Sequence, residues 1–165
     1  MAISGFSSPQ RRIRGGIVKI AMIEASQLRH VTENGQSEFQ VFSRSGWAEY
    51  DCREDSAVYT ETTEIRDGTV RTEHTLEFAL TGIDTASRLA AQQILASQSG
   101  ILAVVTTADS GMLLIGYSRL MQTECPLRPD SSTALSGAEP LDACRRTLRL
   151  RSVDCSPACR VVKYE

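Results

Sequence analysis

The clearest signal in this chain is an alternation of apolar and polar residues that reverses about one tight turn. Leu76, Phe78 and Leu80 fall on one side of an extended segment, and Glu73, Thr75 and Glu77 fall on the other. That two-residue period marks a strand with one buried face. Upstream lies Asp67-Gly68, a pair suited to a two-residue hairpin turn because both positions accept a positive φ. Folding the chain about it sets Arg66 opposite Thr69, Ile65 opposite Val70, Thr63 opposite Thr72, Glu61 opposite His74 and Tyr59 opposite Leu76. Glu64 and Arg71 then form an opposite-charge pair on the other face. One register suits both faces, which predicts a long hairpin over residues 59–80.

The period changes after residue 84. Ala86, Leu89, Ala90, Ile94 and Leu95 recur at helical spacing, with Arg88, Gln92 and Gln98 left for solvent. Asp84 or Thr85 can cap the first turn, and Gly100 suits a left-handed closing residue, so a helix is predicted over 85–98. Ahead of the hairpin, Ile17, Val18, Ile20, Met22 and Ile23 lie on both faces of a strand predicted at 17–25, which implies cover on two sides. Residues 29–36 read as a turn centred on Asn34-Gly35, and 38–50 as strand broken at Ser45-Gly46. Residues 51–56 read as a charged, exposed stretch.

After the helix, 101–107 and 112–117 form a second hairpin about Asp109-Ser110-Gly111, its first arm apolar enough for a central strand. A long loop is predicted at about 121–143, from Pro126, Pro129, Gly137, Pro140 and many small polar residues. The closing strands fall at 145–153, where Leu148 and Leu150 alternate with Arg149 and Arg151, and at 160–163. Strands, one helix and more strands, without regular β–α alternation, predict a mainly β (α+β) fold. The expected form is an antiparallel β-sandwich or barrel with one helix packed across it. Residues 1–15, polar and basic, read as an N-terminal arm ahead of a single domain at 16–165.

At 165 residues with 41% hydrophobic content, the chain can enclose a real core. Aromatics are only 5%, so aliphatic residues must fill it. The formal net charge of -2 argues against a protein that grips nucleic acid by its phosphates. Local basic groups remain at Arg11, Arg12 and Arg14, and at Arg145, Arg146, Arg149, Arg151 and Arg160; they are expected to be solvated or interfacial. No apolar run approaches the roughly 20 residues of a spanning helix. No signal peptide is read at the start, so a cytoplasmic site of assembly is expected. Cys52, Cys125, Cys144, Cys155 and Cys159 are an odd set, expected to be reduced. Their spacing is poor for zinc, and no metal or cofactor is expected.

Little in the chain invites catalysis. The phosphate-binding loop, the dinucleotide fingerprint and the serine elbow are all missing. His74 points away from Glu73 and Glu77 on its strand, and its expected partner is Glu61 across the ribbon, as a structural pair. Cys52 is a nominal nucleophile on what reads as an exposed segment. The chain is therefore expected not to be an enzyme, with no catalytic, cofactor or metal residues.

The ordered features carry a resemblance. They are the start at 14–20 (Arg-Gly-Gly-Ile-Val-Lys-Ile), the strand end His74-Thr-Leu-Glu-Phe78 and the helix at 85–98. The strand at 101–105, the Gly111 turn and Leu114-Ile-Gly116 complete them. Across about 14–153 this arrangement resembles structural proteins of tailed-bacteriophage and prophage tails, the tail tube subunits in particular. The resemblance implies a β-sandwich or barrel flanked by a helix and a homo-oligomeric, hexameric ring whose sheets join into one inner barrel. It further implies stacked rings that conduct DNA without binding it specifically, in a virion assembled in the host cytoplasm. Neighbouring tail proteins would be the other partners, with no membrane involved. Under that reading the hairpin at 59–80, the loop at 122–140 and the basic arm would make ring-to-ring contacts, and the lumen would be polar. A tail terminator or head–tail connector ring is the alternative within the same class. A monomeric ligand-binding β module is the alternative outside it, and an enzyme using Cys52 or His74 a third.

Overall fold

The alternations above become two sheets, because each amphipathic strand has one face to hide. The computed structural model describes Gly5 and residues 15–35, 37–53 and 56–165. Arg11, Arg12 and Arg14, most of the predicted arm, Gln36, and Glu54 and Asp55 of the charged stretch lie outside the described residues. In chain order the strands are β1 Ile17–Glu24, β2 Leu28–Glu33, β3 Glu38–Ser43, β4 Ala48–Asp51, β5 Ala57–Arg66 and β6 Thr69–Thr81. The helix α1, Thr85–Leu95, comes next. Then follow β7 Ile101–Thr107, β8 Met112–Ile115, β9 Tyr117–Ser118, β10 Thr123–Glu124, β11 Arg128–Leu135, β12 Arg145–Asp154 and β13 Cys159–Tyr164.

A seven-stranded sheet runs β2-β3-β13-β8-β7-β1-β4, a four-stranded sheet runs β11-β12-β6-β5, and β9 pairs with β10. Among the described residues every strand pairing is antiparallel except β13 with β3, which is parallel. One core fills the space between the two large sheets: Ile20 and Met22 from β1, Leu76 and Phe78 from β6, Ala103 and Val105 from β7, and Leu148 and Leu150 from β12. Ala91 and Ile94 bring α1 against the same interior. A second core, with Ala21, Ile23, Phe39, Val41, Leu102, Val104, Leu114, Cys159 and Val161, is drawn wholly from the seven-stranded sheet. That sheet therefore rolls over its own outer face, which explains why β1 is apolar on both sides. The result is a sandwich and no closed barrel, since among the described residues β2 and β4 remain edge strands.

The long hairpin has the register expected from its turn, from Arg66↔Thr69 through Glu61↔His74 to Tyr59↔Leu76. Asp67 and Gly68 have φ of 50° and 76°, as a two-residue turn of this hand needs. The second hairpin and the break before β4 also stand where the pattern put them.

Three expectations outside the helix need correction. The segment 121–143 is not one long loop: β10 and the eight-residue β11 lie inside it. β11 is an edge strand, so Pro129 is tolerated at a register shift and the small polar residues after it stay exposed; no apolar alternation announced it. Residues 29–33 are part of β2, and only the stretch around Asn34-Gly35 turns. Cys52 is half-buried against the inter-sheet core, and not an exposed loop thiol.

The helix is rotated from the expected face. It ends at Leu95, and its buried residues are Ser87, Ala91 and Ile94, while Leu89 is 52% exposed and Leu95 42%. The cap explains the phase. The Ser87 backbone N–H donates to Asp84 Oδ1 at 2.9 Å, and the Ser87 hydroxyl donates back to the Asp84 carbonyl at 3.1 Å, which turns Ser87 inward. These bonds hold the Asp84 carboxyl below the usual carboxylate range. The carboxylate form therefore stabilises the helix above that range, and the benefit disappears as pH falls through it. Asp84→Ala is expected to lower Tm at pH 7 and to matter less at pH 2.5, and Asp84→Asn to keep most of the cap; thermal melts at both pH values check this.

Candidate functional site

Two places on this frame collect polar groups in an ordered way. One is buried, at the crossover from β12 to β13, where the chain leaves the four-stranded sheet for the seven-stranded one. His74 sits there on the inner face of β6, 3% exposed. Its Nε2 lies 3.1 Å from the Ser156 carbonyl oxygen and its Nδ1 lies 2.7 Å from the Tyr59 hydroxyl. That hydroxyl is 2.8 Å from Glu61 Oε2, and the Ala158 backbone N–H donates to the same carboxylate oxygen at 3.0 Å. The expected Glu61–His74 partnership is thus real but bridged: the direct separation is 3.8 Å and the tyrosine oxygen stands between. Burial, and then the Glu61 carboxylate, push the Tyr59 phenol far above its ordinary value.

Asp154 starts the same crossover. Burial works against its charge, but hydrogen bonds from Ser118, Ser156 and Cys155 outweigh it and hold the carboxyl below the usual range. The Cys155 backbone N–H and the Ser156 hydroxyl donate to it at 2.6 Å and 2.8 Å. Cys159 begins β13, and burial pushes its thiol up to about 11. Burial and the Asp51 charge push the Cys52 thiol up as well, so neither is an activated thiolate. Cys52 and His74 are not brought together: Cys52 packs near Tyr50, and His74 near Ser156. Among the described residues, no group of three or more His, Cys, Asp or Glu side chains is disposed to hold a metal ion, and no helix is long and apolar enough to cross a membrane.

The other place is the outer face of the four-stranded sheet. Registers and burial put Val58, Thr60, Thr62 and Glu64 of β5 there, with Arg71, Glu73, Thr75 and Glu77 of β6. Arg145, Thr147, Arg149 and Arg151 of β12 share it, beside Asp130, Ser131 and Thr133 of β11. Both signs of charge are mixed on it, Arg71, Arg128, Arg145, Arg149 and Arg151 with Glu64, Glu73, Glu77 and Asp130, and Val58, Val153 and Leu135 lie exposed among them. Many of them are tied to each other: Arg151 reaches Glu73 at 2.7 Å and Asp130 at 3.7 Å, and Arg149 reaches Asp130 at 3.6 Å. Arg149 and Arg151 thus belong to an ion-paired lattice, whereas Arg146 lies on the opposite face of β12, in register with Leu80.

Among the described residues, the two borders of this sheet, β5 and β11, each pair on one side only. β5 carries no Pro, Gly or Lys, and β11 is clean from Ser131 to its end. Pro and Lys are among the features that protect a lone edge; β5 has the charged Glu61, Glu64 and Arg66 instead, and β11 has Pro129 and a register shift near its start. Beyond the core, the hairpin tip projects with Ile65 73% exposed beside Val70. The hairpin was readable from its turn, but the crossover partners Ser156 and Ala158 were not, because backbone groups some eighty residues away leave no local pattern. No known protein-family model matches the chain, and no curated protein matches it.

Proposed function

We propose that this chain is a structural subunit of a phage virion tail, of the tail tube kind, which forms stacked rings by joining its four-stranded sheet edge to edge. The carrying observation is that sheet: four antiparallel strands, two borders unpaired among the described residues, one buried face and one mostly polar face that mixes both signs of charge. An even number of antiparallel strands has a specific consequence. When a copy is rotated about a ring axis, its β5 meets the neighbour's β11 running in the opposite sense, so the antiparallel order continues without a fault. Closure then leaves no free edge in that sheet and turns the same face inward in every copy. An inward face of Thr and Ser, with Arg149 and Arg151 tied to Asp130 and Glu73, leaves passing DNA fewer free cations to hold. The exposed hairpin tip with Ile65 and Val70 suits contact between successive rings.

Negative-stain microscopy and sedimentation of the purified chain test this reading. Tubes or stacked rings are expected; isolated rings would favour the terminator or connector role, and a monomer at high concentration would sink the proposal. Adjacent residues on an edge strand send their N–H groups to opposite sides. Of Ser132→Pro and Thr133→Pro, one is therefore expected to lose a donor to β12 and the other a donor on the free border only. The latter variant should fold as the parent does, by circular dichroism, yet stay monomeric.

A further inference from the structure

We infer that the joint between copies has one register, in which Val58 of one copy stands opposite Leu135 of the next. The inference rests on the ring reading above and says which residues meet across the joint. The backbone sets the first limit. The Ala79 N–H donates to the Ser56 carbonyl at 2.7 Å, and the Gly82 N–H to the Cys144 carbonyl at 2.9 Å. Bonded pairs recur at every second residue of an antiparallel ladder. Tyr59 and Glu61 of β5 therefore turn their backbone N–H and C=O groups to the free border, as do Ser132 and Ala134 of β11. A joint that bonds these groups to each other and keeps polar face beside polar face can slide only in steps of two residues.

Side chains choose among those steps. With Val58 opposite Leu135, Thr60 meets Thr133 and Thr62 meets Ser131. The extra residue at the register shift between Pro129 and Ser131 then brings Arg128 level with Glu64. Val58 is 57% exposed and Leu135 53%, so the joint covers two apolar side chains that the lone chain leaves open. Glu64 has Arg66 at 3.2 Å on its own strand, and Arg128 donates to the Gln98 carbonyl at 3.2 Å; each keeps bonding capacity for the other. Apolar, hydroxyl and opposite-charge pairs across strands all favour pairing. A shift of two residues one way sets Arg66 against Arg128 and Leu135 against Thr60. The same shift the other way sets Leu135 against Ser56 and Arg128 against Thr62, and Glu64 loses its partner.

Ring closure makes the same choice independently. Within one copy Leu135 is level with Arg145 and Thr81, while Val58 is level with Glu77, four residues along β6 from Thr81. The joint therefore adds four residues of stagger for every four strands, whatever the number of copies. That ratio of about one is the ratio of the eight-stranded barrel of shear 8, whose strands tilt by about 36°. The registers on either side give about one half or about one and a half, and tilts outside the usual range of barrels.

The test is disulfide capture in the full chain. Thr60→Cys and Thr133→Cys are placed together in one chain and oxidised with glutathione disulfide, which takes up the two electrons and two protons released as each bond forms. Directly opposed residues of a non-bonded antiparallel pair lie at a Cα spacing that a disulfide accepts. A ladder of linked copies is expected on a non-reducing gel, lost on reduction, and absent from the parental chain and from either single variant. Thr62→Cys with Ser131→Cys asks the same question one step along, and serves if the first pair does not fold. Thr62→Cys with Thr133→Cys, and Val58→Cys with Thr133→Cys, report the two shifted registers, and their ladder should be lost. Rings or tubes in negative stain with a ladder only from a shifted pair, or with no ladder from any pair, would overturn this register and leave the ring reading standing. A chain that neither assembles nor links would overturn both.

Discussion

Phe78→Ala is expected to cost about 3–5 kcal/mol of folding stability, the range for removing a large, fully buried aromatic side chain. Phe78 is 1% exposed and stands at the centre of the inter-sheet core. It lies opposite Ala57 on one neighbouring strand and Leu148 on the other, and its ring meets Tyr50 of the seven-stranded sheet at 6.1 Å. The chain has few aromatics, and the residues around this one cannot collapse into the space without moving a sheet. A loss of this size takes a large share of the stability of an ordinary domain. It should appear as a lower urea midpoint with an unchanged slope. The consequence for assembly follows from position. Phe78 presses the four-stranded sheet onto the seven-stranded one, so it also sets the attitude of the two free borders. Under the proposed function, ring formation should therefore fail in this variant at temperatures where much of the chain is still folded. Leu148→Ala, on the neighbouring strand, should behave alike at about 2–5 kcal/mol.

The parts of this fold that were legible in the sequence are those where local chemistry and burial agree. Asp67-Gly68 and the charge pair Glu64–Arg71 fixed a register ten pairs long before any tertiary contact was known. The run from Ile101 to Val105 announced a strand buried on both faces, and β7 lies between β8 and β1. The helix was legible as a helix but not in its facing. Leu89 and Leu95 outweigh Ser87 and Ala91 in any hydrophobic count, yet the cap at Asp84 and the closeness that small residues permit turned the smaller side inward. β11 was invisible for a different reason. A border strand exposed on both faces has no alternation to show, and its Pro129 reads as a breaker. The same blindness applies to the candidate site. An open border is a property of what is not paired, and the cluster at His74 is completed by backbone atoms of a distant crossover.

Gly100 brings the second large effect, and it shows how one residue type can be required for two separate reasons. Its φ is +83°, a region costly for any residue with a Cβ. It does not close the helix, which ends at Leu95; it stands immediately before β7. A Cβ there would lie 2.6 Å from the Pro126 Cβ and 3.1 Å from the Leu127 carbonyl oxygen. That closeness is structural, because Ile101 and Leu127 exchange backbone hydrogen bonds at 2.9 Å and 2.8 Å just beside it. Gly100→Ala therefore meets left-handed strain of about 1–2 kcal/mol and a clash against a rigid ring and backbone of about 1–3 kcal/mol. Two other glycines separate these terms. Gly68 has φ +76° with nothing within 4 Å, so Gly68→Ala carries the strain alone. Gly46 has neither a positive φ nor a neighbour within 4 Å, so Gly46→Ala should be neutral or slightly stabilising. Urea midpoints for the three variants should fall in the order Gly46→Ala, Gly68→Ala, Gly100→Ala from highest to lowest. If Gly100→Ala matched Gly68→Ala, the close approach of Pro126 would carry no energy, and the docking of this segment against the start of β7 would be looser than the geometry describes.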